Sequence, residues 1–232
     1  GSILNFDGQK ITVGPESAGA LPGPACYGNG GPLTVTDANL ILGRILPEAM
    51  PGTFGESGKE RLDVLASIEA LSAFTKSVNQ KLGTDFSDIE IAVGCLRVAN
   101  ENMVRAIRKT SVAQGYDVRN FALICFGGAA AQHACGVARL LEIKKIIIHQ
   151  MSGVLSAYGI LSSKDSQRKA RAFMKKLKDV TLTNLVNAFK SLESEMNQIK
   201  TESGIFISRY IDARQVGSDA YLTFDFNEDE PL

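Results

Sequence analysis

At 232 residues, 44% of them hydrophobic and 22% charged, the chain has apolar material for one large or two small cores and too little charge for a disordered segment or a coiled coil. Its 25 basic residues balance 25 acidic ones, so the positive excess of a nucleic-acid-gripping surface is missing and no nucleic-acid partner is expected. No run approaches the ~18 apolar residues of a membrane span, and Cys26, Cys95, Cys125 and Cys135 form no CxxC pair, which predicts no membrane association and reduced thiols in a cytoplasmic protein.

In chain order, ILNF and QKITV flank Asp7-Gly8 and predict a hairpin, Asp-Gly being the dipeptide that a type I′ turn prefers. Between Gly14 and Gly31, nine of eighteen residues are Gly or Pro. That excludes a helix or an inner strand, and the nearly uncharged remainder predicts a long loop held in one shape. TVTDAN then opens a short helix ending before Pro47, with Thr36 or Asp37 as its N-cap. Leu62, Leu65, Ala66, Leu71, Val78 and Leu82 predict a helix closed by Gly83, and Ser87 or Asp88 opens the next. That helix runs from Ile89 to about Gln114 with Ala92, Val93, Leu96, Ala99, Met103 and Ile107 on its apolar face. Arg97, Asn100, Glu101, Arg105 and Arg108 form its polar stripe, with Arg97–Glu101 and Glu101–Arg105 at ion-pair spacing.

The pattern then changes to FALICF, Gly127-Gly128, AAAQHACGVARLLE and IKKIIIH. Strand, glycine turn, short helix and strand predict parallel pairing in an α/β sheet covered on both faces. SGVLSAYGILSS follows as a short helix. KDSQRKARAFMKKLKD carries seven Lys or Arg in sixteen residues and reads as a solvated stretch. An amphipathic helix through Leu182, Leu185, Val186, Phe189, Leu192, Met196 and Ile199 ends at Gly204, and FISRYIDARQ and AYLTFDF make a hairpin across Val216–Asp219. The expected organisation is 1–163, a basic linker at 164–179, and 180–232. A strand lies near each extremity, which leads to the expectation of a piece of a longer protein.

Four constellations could carry chemistry. The strand running into Gly127, Gly128 and Ala129 presents backbone N–H groups at a helix start, where a phosphate or the edge of a nucleotide could dock; tight packing of small residues is the competing explanation. Neither the Gly-Lys-Ser/Thr of a Walker loop nor GxGxxG is present. His133 and His149 have no carboxylates spaced to complete a metal site, so no metal ligand is assigned; His149 reads as structural, while structural and functional roles compete for His133, which follows the glycine turn. Asp37 could hold a metal, position a water or bind a substrate N–H, or it could cap its helix. The Arg97–Arg108 stripe is a solvated face unless it points inward, where an arginine could hold a carboxylate or phosphate. Cys26 sits in the Gly/Pro loop without a base at suitable spacing, which favours packing over reactivity.

VGPESAGALPGPACYGNGGPLTVTDANLILGRILP, RVANENMVRAIRK, CFGGAAAQHACGVAR and SGVLSAYGIL, in this order, resemble the hydantoinase/oxoprolinase family, and within it the ATP-dependent 5-oxoprolinases. The resemblance covers residues 1–163 strongly and RYIDARQVGSDAYL weakly. It implies half of an actin-like, ribonuclease-H-like ATPase with a mixed sheet flanked by helices, followed by a C-terminal helix and hairpin. It implies conversion of 5-oxo-L-proline, ATP and water to L-glutamate, ADP and phosphate through phosphorylation of the lactam oxygen, or the opening of a hydantoin or another cyclic amide. A non-catalytic assembly role is the alternative to both. ATP is the implied cofactor, with Mg²⁺ and K⁺ beside it. The implied partners are the small-molecule substrate, the N-terminal half that carries the acidic phosphate motif, and a hydantoinase B-type half or subunit. Gly127, Gly128 and Ala129 become the nucleotide-binding residues, Asp37 a catalytic candidate, and Ser17, Glu101 and Arg108 candidates for the substrate cleft. Ala130 and Ala131 stand where relatives usually keep glycine, which would restrict the turn.

Overall fold

Alternation in the first residues builds a hairpin of β1 (Ser2–Phe6) and β2 (Ile11–Ser17), with Phe6 opposite Ile11. Four residues make its turn, not two. The Asp7 carboxylate accepts from the Gln9 and Lys10 amides at 2.9 Å each while Gly8 takes φ +94°. This side-chain turn displaces the type I′ geometry that Asp-Gly predicts. Residues 1–163, 166–196 and 206–228 of the computed structural model are described, and they fall into two units, Gly1–Ser162 and Ser163–Leu232.

In the first unit the Gly/Pro stretch is ordered and packed inward, with Gly23, Pro24, Ala25 and Cys26 buried around one turn of 3₁₀ helix. Glycine is required where backbone meets backbone, since a Cβ on Gly31 would collide with the Gly23 carbonyl. Helix α1 (Val35–Ile41) follows, then α2 (Val64–Leu82) and α3 (Asp88–Thr110). The N-cap of α1 is Thr34 rather than Thr36 or Asp37. Thr34 Oγ1 accepts from the Thr36 amide at 3.1 Å, and Asp37, three residues on, accepts from the Thr34 amide at 2.8 Å. A capping box needs its carboxylate at the third helical position, so Asp37 belongs inside the helix. Asp63 caps α2, Gly83 closes it at φ +64°, and Ser87 with Glu90 makes the capping box of α3.

The main core gathers Leu4, Leu33, Ala38, Leu71, Val78 and Leu96. Helix α3 buries Ile91, Ala92, Cys95, Leu96, Ala99, Asn100 and Val104, while Val93 and Met103 are exposed. Its inward face is therefore rotated from the one that apolar spacing predicts, and the helix ends at Thr110. The expected Arg97–Glu101 and Glu101–Arg105 pairs are not among the ion pairs of the described residues.

The strand–turn–helix–strand segment forms as predicted: β3 (Ala122–Cys125), α4 (Ala131–Leu140) and β4 (Lys145–Ile148), with β3 and β4 parallel and Ala122 opposite Lys145. Among the described residues, however, the strands make three two-stranded sheets rather than one mixed sheet. The β3–β4 pair is not covered on both faces, for Ile124, Ile147 and Ile148 are exposed, as are Ile160 and Leu161 on α5 (Leu155–Ser162).

The second unit contains α6 (Leu182–Met196) and an antiparallel hairpin of β5 (Tyr210–Arg214) and β6 (Tyr221–Asp225). Phe189 stacks on Phe226 at 4.9 Å, and Arg209 pairs with Glu193 and Glu228. Two residues of the basic run, Lys169 and Arg171, pair with Glu195, whereas Lys164 and the predicted helix end at Ile199 and Gly204 lie outside the described residues. Among the described residues, no helix is long and apolar enough to cross a membrane.

Candidate functional site

The turn from β3 to α4 is open. Gly127 takes φ +93°, a conformation L side chains rarely adopt, and its N–H donates to the Ser152 carbonyl at 2.7 Å. A Cβ built on Gly127 or Gly128 would meet nothing within 4 Å, and residues 126–129 are exposed. Helix α4 has Ala130 at its N-cap and no side-chain cap. Among the described residues, the N–H groups of Gly128 and Ala129 meet no acceptor. Two free donors and the positive end of a helix dipole share one exposed corner, an arrangement that fits an anionic oxygen. The alanines do not constrain it: Ala130 is already helical at φ −64° and ψ −33°, so only Gly127 needs the glycine freedom.

Behind this corner His133, the third residue of α4, is buried between two amides. Its Nδ1 lies 2.8 Å from Asn100 Oδ1, and its Nε2 lies 3.5 Å from Asn39 Nδ2. Because an amide nitrogen only donates, Nε2 must accept, which puts the ring proton on Nδ1 and its donation on Asn100. Burial, reinforced by the nearby Arg44 charge, holds the His133 pKa below the ordinary value of 6.5. Sequence spacing placed Asn100 on the solvated stripe and assigned Asn39 nothing. The available signal was Gly136, where a Cβ would collide with the Asn100 amide.

A stability prediction follows from that pKa. The folded chain keeps His133 neutral while the unfolded chain takes up a proton below about pH 6.5, so the contribution is complete above pH 6.5 and is lost as pH falls. The unfolding free energy from urea titrations should be flat from pH 8 to 7 and then decline, at up to about 1.4 kcal/mol per pH unit from this one group. A flat profile down to pH 5 would contradict it.

Asp37 is enclosed, with no exposed surface. Its carboxylate accepts from the amides of Ala25 (3.3 Å), Cys26 (2.8 Å) and Thr34 (2.8 Å), and from the hydroxyls of Thr34 (2.9 Å) and Ser67 (2.7 Å). Such a group ties the Gly/Pro loop, α1 and α2 together and has no lone pair left for a substrate. In this structure Asp37 acts as a structural tie between these elements. Ser17, exposed at the end of β2, accepts from the Gly19 amide in a local turn. Glu101 is exposed on α3. Arg108 donates to the Leu140 carbonyl at the far end of α4, about 15 Å from the open turn for a helix of ten residues. The structure thus gathers Gly127, Gly128 and Ala129, and it does not bring Asp37 or Arg108 to them.

The Cys26 thiol is pushed up to about 12, chiefly by burial and then by the Asp37 charge, which leaves it an unreactive packing group. Cys95 is raised to about 11 by burial, and Cys135 is exposed, unlike the other three. His149 is exposed and accepts from the Met151 amide at 3.0 Å. Among the described residues, no three His, Cys, Asp or Glu side chains are grouped to hold a metal ion.

The family model described as Hydantoinase/oxoprolinase matches residues 1–169. A 5-oxoprolinase of Dictyostelium discoideum is 39% identical over 231 residues, 96% of this chain and 18% of its own length. The crystal structure of an ATP-dependent caprolactamase from Pseudomonas jessenii superposes with a TM-score of 0.67 at 32% identity, covering 98% of this chain and 33% of that one. A nucleotide-free acetone carboxylase shares the fold, with a TM-score of 0.64 at 20% identity over 97% of this chain and 32% of that one. The chain therefore spans about a fifth to a third of the length of these relatives.

Proposed function

The chain belongs to the hydantoinase/oxoprolinase family, and from that premise we propose that it is the C-terminal portion of an actin-like ATPase unit in a longer, ATP-dependent cyclic-amide hydrolase. The proposed reaction takes 5-oxo-L-proline, ATP and water to L-glutamate, ADP and phosphate. A five-membered lactam resists hydrolysis, and ATP supplies the phosphoryl group that turns its amide oxygen into a leaving group. The chain's own part is to hold the nucleotide: the free N–H groups of Gly128 and Ala129 donate to it, and the +93° turn at Gly127 keeps side-chain bulk out of its way. That open, uncapped turn is the observation that carries the reading. Mg²⁺ and K⁺ are proposed to accompany the nucleotide, Mg²⁺ as the partner of its phosphates.

The N-terminal half and a hydantoinase B-type half or subunit are the proposed partners, so this chain alone should fold without turning over. The likeness to a caprolactamase at 32% identity favours a second reading, in which the substrate is a hydantoin or another cyclic amide. The test is ATP hydrolysis by the full-length protein with 5-oxoproline, hydantoin and caprolactam in parallel. Stimulation by 5-oxoproline at least tenfold above the others is expected. Equal stimulation by another ring would move the assignment to that substrate, and none by any ring would refute cyclic-amide hydrolysis.

A further inference from the structure

The corner offered to the nucleotide has no cap of its own, so something else must fix where its amides point. Helix α4 starts on alanines, and no side chain binds its first turn from the N-terminal side. What binds that turn comes from behind. His133 reaches Asn100 on α3 at 2.8 Å and Asn39 on α1 at 3.5 Å, and Arg44 Nη1 donates to the Gln132 carbonyl at 3.3 Å. Asn39 is itself tethered, its Nδ2 donating to the Val35 carbonyl at 3.1 Å.

We propose that His133, clamped between Asn39 and Asn100, is a positioning residue that sets the rotation of α4 and with it the direction of the Gly127–Ala129 amides. Burial alone would be better served by an apolar side chain, because the clamp leaves Asn39 Oδ1 buried without a partner. Buried polar contacts retained at such a cost fix one arrangement among several that apolar packing would allow. The geometry is that of a register pin. His133 is one turn from the free amides, and its two partners sit on different helices, so a rotation of α4 that kept one contact would break the other. Gly136 leaves the space into which Asn100 fits.

The inference rests on the proposed nucleotide role of the turn, and two readouts separate the two ideas. The first is the set of amide NMR resonances of Gly127, Gly128 and Ala129 in this chain without nucleotide; the second is the KM for ATP of the full-length protein. His133→Leu should move those resonances and raise KM at least tenfold, with less than a threefold change in kcat. His133→Asn, whose amide can replace the Nδ1 donation to Asn100, should restore both most of the way. If His133→Leu melts lower yet leaves the resonances and KM unchanged, His133 is only a core residue and the proposal is overturned. Resonances that move and are restored, beside a KM that never changes, would keep the positioning role and remove the nucleotide from the turn. Should His133→Leu fail to fold, Arg44→Ala decides at the surface: moved turn resonances support the tether, and unmoved ones overturn it.

Discussion

Asp37→Ala is expected to unfold the first unit. The substitution removes the acceptor of the Cys26 and Thr34 amides and of the Thr34 and Ser67 hydroxyls, while the Ala25 amide keeps its 3.0 Å bond to the Pro32 carbonyl and the Asp63 amide its 2.8 Å bond to the Cys26 carbonyl. Each buried donor left without an acceptor costs about 1–3 kcal/mol, so the sum reaches roughly 4 kcal/mol or more. Domains of ordinary stability hold only about 5–15 kcal/mol in total. The expected result is insoluble protein, or a urea midpoint displaced to a small fraction of its original value. Asp37→Asn keeps one carbonyl oxygen for Cys26 and Ser67 and turns an amide toward Thr34, so an intermediate loss of about 2 kcal/mol is expected. An Asp37→Asn chain that unfolds like the parent, in an enzyme that has lost ATP hydrolysis, would reverse the assignment and make Asp37 catalytic.

What could be read ahead of the structure were the features that local chemistry decides. Gly83 ends a helix because it takes φ +64°, Ser87 begins one because Glu90 stands three residues on, and the run from Phe121 to His149 gives a parallel pair because strand, short helix and strand close that way. Asp37 was legible as a helix-start residue but not as the anchor of a loop eleven and twelve residues upstream, since nothing in a Gly/Pro-rich stretch announces which amides will face inward. Asn100 shows the same limit. Periodicity gives a helix an apolar face, yet α3 packs against α1, α2 and α4, and the phase of its third contact is set by Gly136 and His133 on another element. The free donors from Gly128 onward were legible in kind from the two glycines; their exposure depended on what else packs at that corner.

Gly127→Val should separate the turn's binding role from its structural one. Valine at φ +93° is strained by about 1–3 kcal/mol, and no atom lies within 4 Å to clash with it, so the cost falls on the backbone rather than on packing. At about 2–4 °C per kcal/mol for a chain of this size, the melting temperature drops by no more than some 12 °C, and the first unit stays folded. Relief of the strain requires Gly127 to leave the left-handed region, which breaks its 2.7 Å bond to Ser152 and swings the amides of Gly128 and Ala129 out of line. ATP affinity of the full-length protein should therefore fall at least tenfold, a loss of about 1.4 kcal/mol in binding. Gly128→Ala gives the internal comparison. Gly128 is not in the left-handed region and its surroundings are open, so stability should hardly change, while a methyl group beside the donors obstructs an approaching phosphate. If both variants bind ATP as the parent does, an open corner lined with unpaired amides is not where the nucleotide rests, and its contacts must be sought elsewhere.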